Sequence, residues 1–151
     1  MKELRIEPKI ENMDVASGFT EARLEEFGCP TAVTMKFLIA LDEILNNIIH
    51  YSGAREAVIR VGEEGGYYLL EFSDDGVRFD PLLKKDPDIT LDADDRQIGG
   101  LGIYMVKKSM DLVQYSYEDG KNVLKLGIRR KDDQTPAHSA DGNSVHAGRK
   151  I

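Results

Sequence analysis

The chain has 151 residues, 41% of them hydrophobic and 31% charged, the proportions of one ordinary globular domain that buries a core without staples. Its net charge of −7 argues against broad binding to nucleic acid or to an anionic membrane, and does not exclude an anionic ligand held at one local site. One cysteine, Cys29, makes neither an internal disulfide nor a zinc cluster. The segment MKELRIEPKI lacks the apolar run of a signal peptide, and no stretch reaches the ~18 apolar residues of a bilayer span. The expected compartment is therefore the cytoplasm, with no membrane or direct nucleic-acid partner.

Taken in chain order, residues 3–10 alternate weakly and suit an edge strand, where Pro8 is tolerated. Residues 12–28 predict a helix with Asn12 as its cap and Gly28 at its end. After the break at Cys29-Pro30, Thr31 is the expected cap of a second helix reaching about Tyr51. Residues 56–62 and 67–73 predict a hairpin turning at Glu63-Glu64-Gly65-Gly66. From Asp74 to Gly99 the chain is Asp-rich and aperiodic, a loop long enough to expect function or disorder. Helical spacing resumes over 101–112. A second hairpin follows, with strands at 112–117 and 122–129 around Glu118-Asp119-Gly120-Lys121. The polar stretch 131–151 is expected to be a disordered tail beside a folded 1–130 domain. The order β-α-α-β-β-loop-α-β-β predicts an α+β two-layer sandwich: a mostly antiparallel mixed sheet covered on one face by helices.

Three stretches carry chemistry. In the second helix Phe37, Leu41, Ile44, Leu45 and Ile48 share a core face, and Glu43, Asn46, Asn47 and His50 form a polar column opposite, at i, i+3, i+4 and i+7. Asn is a poor choice for a helix interior. A carboxylate one turn from an amide oxygen pairs a general base with a hard donor for Mg²⁺. In SDDGVRFDP, Asp74 stands at a strand end, placed to accept a hydrogen bond from an exocyclic amine such as adenine's. Gly76 beside it permits close approach to a flat ring. In IGGLGIYMVKK, Gly99, Gly100 and Gly102 feed a helix N-terminus, the geometry of an anion site. Taken singly, these stretches also fit a solvated helix face, an Asp-Gly turn and a hinge. No Walker A motif is present, Met105 breaks a dinucleotide fingerprint, and Leu91 and Gln97 break an EF-hand.

In this order the three stretches resemble the nucleotide site of the GHKL ATPase superfamily. ALDEILNNIIHY, SDDGVRFDP and GGLGIYMVKKSMDLVQY look most like the anti-sigma factor serine kinases, over residues 3–130. The resemblance implies a Bergerat fold with ATP held between helix and lid. Glu43 would be the catalytic base and Asn47 the Mg²⁺ ligand, while Asp74 and Gly76 would take the adenine. Gly99, Gly100, Leu101 and Gly102 would lie on the phosphate side. Asn46 would border the ribose-phosphate region, residues 82–99 would form the lid, and Arg96 would stand in for a lid arginine whose usual place is taken by Ile98. Arg78 replaces a glycine usual in the second box. The implied activity is transfer of the ATP γ-phosphate to a serine of a small antagonist protein. A homodimer that otherwise sequesters a sigma factor is implied as well. The alternative is a non-catalytic nucleotide-binding or sigma-sequestering module.

Overall fold

A computed structural model describes residues 1–83 and 100–131 of the chain. Five strands and three helices are present among them. Strand β1 is Lys2–Ile6, followed by α1 (Met13–Glu26), α2 (Thr31–Asn47), β2 (Ala57–Glu64) and β3 (Tyr67–Asp74). Helix α3 (Gly100–Ser109) leads into β4 (Leu112–Glu118) and β5 (Lys121–Arg129). The sheet order is β1-β2-β3-β5-β4, and every ladder is antiparallel. The chain leaves β3, passes through α3, lays β4 at the sheet edge and returns β5 beside β3.

Glycine-supplied turns set both hairpins. Gly65 and Gly66 have φ of 60° and 85°, and Asp119 and Gly120 have φ of 53° and 76°, the positive angles a two-residue turn needs at both centres. Gly28 (φ 75°) ends α1, with the Cys29 N–H donating to the Leu24 carbonyl at 3.0 Å, the hydrogen bond of a glycine-terminated helix.

The three helices pack on one face of the sheet, with α2 touching both α1 and α3. Phe37, Leu41, Ile44, Leu45 and Ile48 are all buried there, as the helical period predicts. They meet Ile59 and Val61 of β2, Leu70 and Phe72 of β3, and Leu124, Leu126 and Ile128 of β5. Burying each such side chain contributes roughly 1.5–3 kcal/mol. On the opposite face Tyr67, Leu69 and Leu112 form a small apolar cluster. Arg60 on that sheet bridges Glu3 at 3.0 Å and Glu71 at 3.3 Å.

Four local expectations are corrected. Asn12 sits at the cap position of α1, but its side chain donates backwards to the Glu7 carbonyl at 2.8 Å and does not cap the helix. Pro30 occupies the cap position of α2, so Thr31 is its first helical residue. Regular α-helix stops at Asn47, not Tyr51, and residues Ile48–Ser52 form a single π turn closed by Gly53 at φ 67°. Helix α3 ends at Ser109 because the Asp111 N–H already pairs with the Gly127 carbonyl at 2.8 Å, which begins the β4 ladder. The expected lid from residue 84 onward and the expected tail from residue 132 lie outside the described residues. Residues Pro81–Leu83, which include the first two positions of that lid, form a short 3-10 turn.

Candidate active site

A cavity of about 390 Å³ opens between the end of α2, the end of β3 and the start of α3. Its walls are apolar, from Ile44 and Ile48 on α2 and its π turn, Phe72 on β3, Ile103 on α3 and Leu124 on β5. Polar side chains from several elements also line it, among them Asn47, Ser52, Asp74, Arg78, Tyr115 and Asn122.

Asp74 is the last residue of β3 and continues the inward-facing series Leu70, Phe72. It is only 7% exposed. One carboxylate oxygen, Oδ1, accepts from the Gly76 N–H at 2.9 Å and from Asn122 Nδ2 at 3.2 Å. Oδ2 has no protein hydrogen bond among the described residues. Burial pushes the Asp74 carboxyl above the usual range, and the Asp75 charge adds to this. The hydrogen bonds from Gly76 and Asn122 oppose the shift. Asp75 points away and does different work. Its Oδ1 accepts from the N–H groups of Arg55 and Glu56, which hold its carboxyl below the usual range and pin the start of β2.

Glu43 and Asn47 lie one turn apart on α2, as the spacing predicts. The Asn47 amide donates to Glu43 Oε2 at 3.2 Å, and Asn47 lines the cavity. With its nitrogen turned to Glu43, its carbonyl oxygen is the end left for a ligand. Helix α3 presses its first turn onto this pair. A Cβ at Gly102 would fall on the Glu43 carboxyl group, so a larger residue there has to push that carboxyl aside.

Gly76 is also a close-approach glycine, but for another reason than expected. A Cβ there would collide with the carbonyl oxygen and side chain of Ser52. The tight contact is between the β3 exit and the π turn, and the adjacent Val77 N–H donates to the Ser52 carbonyl at 2.9 Å. Ser52 in turn donates to the Ile48 carbonyl at 2.7 Å and accepts from the Ala54 N–H at 3.0 Å. The π turn is thus stitched to the loop that follows Asp74. Single π turns recur at functional sites, and this one carries Ile48, Tyr51 and Ser52 into the cavity wall.

The structure therefore brings together Glu43, Asn47, Asp74, Gly76 and Gly102. It does not bring Asn46 or His50 with them: both are exposed, and the His50 ring meets the Asn46 carbonyl at 2.9 Å. Gly100 and Leu101 form the first turn of α3. Arg96 and Gly99 lie outside the described residues. Arg78, which stands where a glycine is usual, lines the cavity and stacks its guanidinium 5.0 Å from the Tyr117 ring. The reading from sequence missed Ser52, Tyr115 and Asn122. The last was within reach: two-residue alternation puts Asn122 on the face of Leu124, Leu126 and Ile128, where a polar residue needs a reason.

A two-layer sandwich with a cleft between the central helix, the β3 exit and a glycine-led helix is a Bergerat-type fold, the architecture of the GHKL ATPases. The chain belongs to the histidine kinase-like ATPase domain family, whose profile matches residues 6–128. It is 30% identical over 98 residues to the serine/threonine-protein kinase BtrW of Bordetella bronchiseptica, a match spanning 61% of this chain and 69% of that one. Its fold resembles the RsbU and RsbW domains of Rv1364c from Mycobacterium tuberculosis, with a TM-score of 0.55 at 13% identity. That likeness covers 85% of this chain and about a third (32%) of the other. The Acinetobacter baumannii histidine kinase AdeS is similar at TM-score 0.51 and 16% identity, over 87% of this chain and 68% of that one. No helix among the described residues is long and apolar enough to cross a membrane.

Proposed function

We propose that the protein is an ATP-dependent serine kinase that phosphorylates a small antagonist protein and otherwise sequesters a sigma factor as a homodimer. The observation that carries the nucleotide part is Asp74: a buried carboxylate at the floor of an apolar cleft, one oxygen tied by protein and the other left to accept. That arrangement suits a flat ring bearing an amine, and adenine is such a ring. The donors at the other end suit the phosphates and Mg²⁺. Asn47 offers a neutral amide oxygen, a hard ligand, and Mg²⁺ keeps water and phosphate for its remaining positions. The first turn of α3, with Gly100, Leu101 and Gly102, offers backbone N–H groups and the positive end of a helix dipole. Bound Mg²⁺ would neutralise charge on the phosphates.

Glu43 is the general base in this reading. It lies against the start of α3 and one turn from Asn47, where it would accept the proton of an incoming serine hydroxyl. Phosphoryl transfer leaves the protein little covalent work, and positioning with electrostatics supplies most of the acceleration. The kinase BtrW supports the choice of serine or threonine as acceptor, through the similarity given above.

Arg78 favours a second reading, a binding module that holds nucleotide without transferring phosphate, because a long cationic side chain lines the cleft where a glycine is usual. Incubation with labelled Mg-ATP and a candidate antagonist separates the two. The wild type is expected to deposit acid-stable label on a serine, and Glu43→Gln is expected to bind ATP equally well and label nothing. ATP binding without labelling by the wild type would overturn the kinase reading, and no Mg-ATP-dependent rise in melting temperature would overturn both.

A further inference from the structure

Asn122 has no free hydrogen-bonding capacity. Its Oδ1 accepts from the Phe79 N–H at 2.9 Å and from the Tyr115 hydroxyl at 2.5 Å. Its Nδ2 donates to the Val77 carbonyl at 2.8 Å and to Asp74 Oδ1 at 3.2 Å. Two acceptor lone pairs and two N–H donors are a complete inventory for a primary amide. The backbone partners also fix which way the amide faces. The Phe79 N–H requires an oxygen and the Val77 carbonyl requires an N–H, so the orientation follows from chemistry. Asn122 sits directly across the ladder from Asp74 and is 7% exposed.

We infer that Asn122, locked by the Tyr115 hydroxyl, is the positioning residue for base recognition at this site: it presents Asp74 to the ligand with a single free oxygen. This rests on the nucleotide reading above. With no capacity left, Asn122 reads nothing directly and acts through Asp74. Its bonds join four segments: the end of β3, the 77–79 loop, β4 and the start of β5. They hold Oδ1 of Asp74 against protein, so Oδ2 alone meets the ligand. A bare acceptor selects a ring that offers an N–H at that point and rejects one that offers a carbonyl, since two facing acceptors leave both unpaired. Tyr115 is matched to its part: a phenol is a donor at neutral pH, and burial raises this one further above its ordinary value.

The probe pair is ATP and inosine triphosphate, which carries a ring carbonyl in place of the exocyclic amine. Affinities of the full chain are measured by calorimetry in Mg²⁺ for wild type, Asn122→Ala and Tyr115→Phe, with melting curves to establish that each variant is folded. The wild type is expected to prefer ATP by roughly 100-fold, the scale of a buried acceptor left unpaired. Asn122→Ala is expected to cut that preference at least tenfold by weakening ATP while leaving inosine triphosphate within about twofold. Tyr115→Phe keeps the ring and is expected to shift the preference the same way by less. A loss that is equal for both nucleotides, or a preference unchanged in both folded variants, would overturn the inference and leave the nucleotide reading standing. A wild type that binds neither nucleotide overturns both. If Asn122→Ala fails to fold, Tyr115→Phe alone decides.

Discussion

At the scale of single residues, burial and the proposed adenine contact pull Asp74 in opposite directions. Its carboxyl is pushed above the ordinary range, chiefly by desolvation. An acid whose folded-state value is raised loses stability as pH rises from its unfolded value through its folded one, because the folded state then has to hold a charge that the unfolded state carries in water. Asp74→Asn removes that charge and keeps an oxygen able to accept from Gly76. The variant is expected to bind ATP at least ~100-fold more weakly. It is also expected to melt no lower than wild type at pH 7, and to lose the part of the pH dependence that starts above Asp74's unfolded value of 3.8. Paired titration calorimetry and melting curves between pH 4 and 8 check both halves. The two adjacent asparagines of α2 separate in the same way. Asn47 lines the cavity and Asn46 is exposed. In our reading Asn47→Ala removes Mg²⁺-dependent ATP binding and Asn46→Ala changes it less than threefold, each with a gain in helix propensity of about 0.5 kcal/mol. Comparable losses in the two variants would refute that division.

At the scale of elements, two glycines close the site by contacts of different stiffness. A methyl group at position 76 meets the backbone carbonyl of Ser52, which cannot swing away without unstitching the π turn. Gly76→Ala is therefore expected to cost about 1–3 kcal/mol of stability, read as a lower denaturation midpoint. A methyl group at position 102 meets first the end of the Glu43 side chain, which can rotate aside, and alanine improves the helix by up to about 1 kcal/mol. Gly102→Ala is expected to melt at or above the wild-type temperature while its phosphoryl transfer falls at least tenfold, because the displaced carboxylate is the proposed base. These contacts also mark how far the sequence could be read. Helical period and glycine turns gave the elements to within a few residues, because both are local. Glu43 and Asn47 were legible for the same reason, as neighbours on one helix face. That Gly76 answers to Ser52, and Asp74 to Asn122, depends on strand order, which no local pattern states.

At the scale of the whole molecule, stability and site are largely separable. Thr20 of α1 is fully buried, and its hydroxyl has no partner among the described residues. Thr20→Val exchanges that unpaired hydroxyl for a methyl group of similar volume and is expected to stabilise the fold by about 1 kcal/mol. Denaturant titration reads the gain, and ATP affinity is expected to be unaltered because Thr20 does not line the cavity. The proposed base end of the site, by contrast, depends on the order in which the sheet is completed. Asp74 and Asn122 are 48 positions apart in sequence, and β5 enters between β3 and β4 after both have been made. Pairings across such distances form late, since the chain loses loop entropy before the contact repays it. During synthesis on a ribosome, α2 and β3 emerge well before β5, so Glu43, Asn47 and Asp74 leave the exit tunnel as a set that has no clamp. If Asp74 and Asn122 hold the base as proposed, capture of nucleotide becomes one of the last events of folding, and a ligand that binds only the finished sheet draws the final strand into place by mass action.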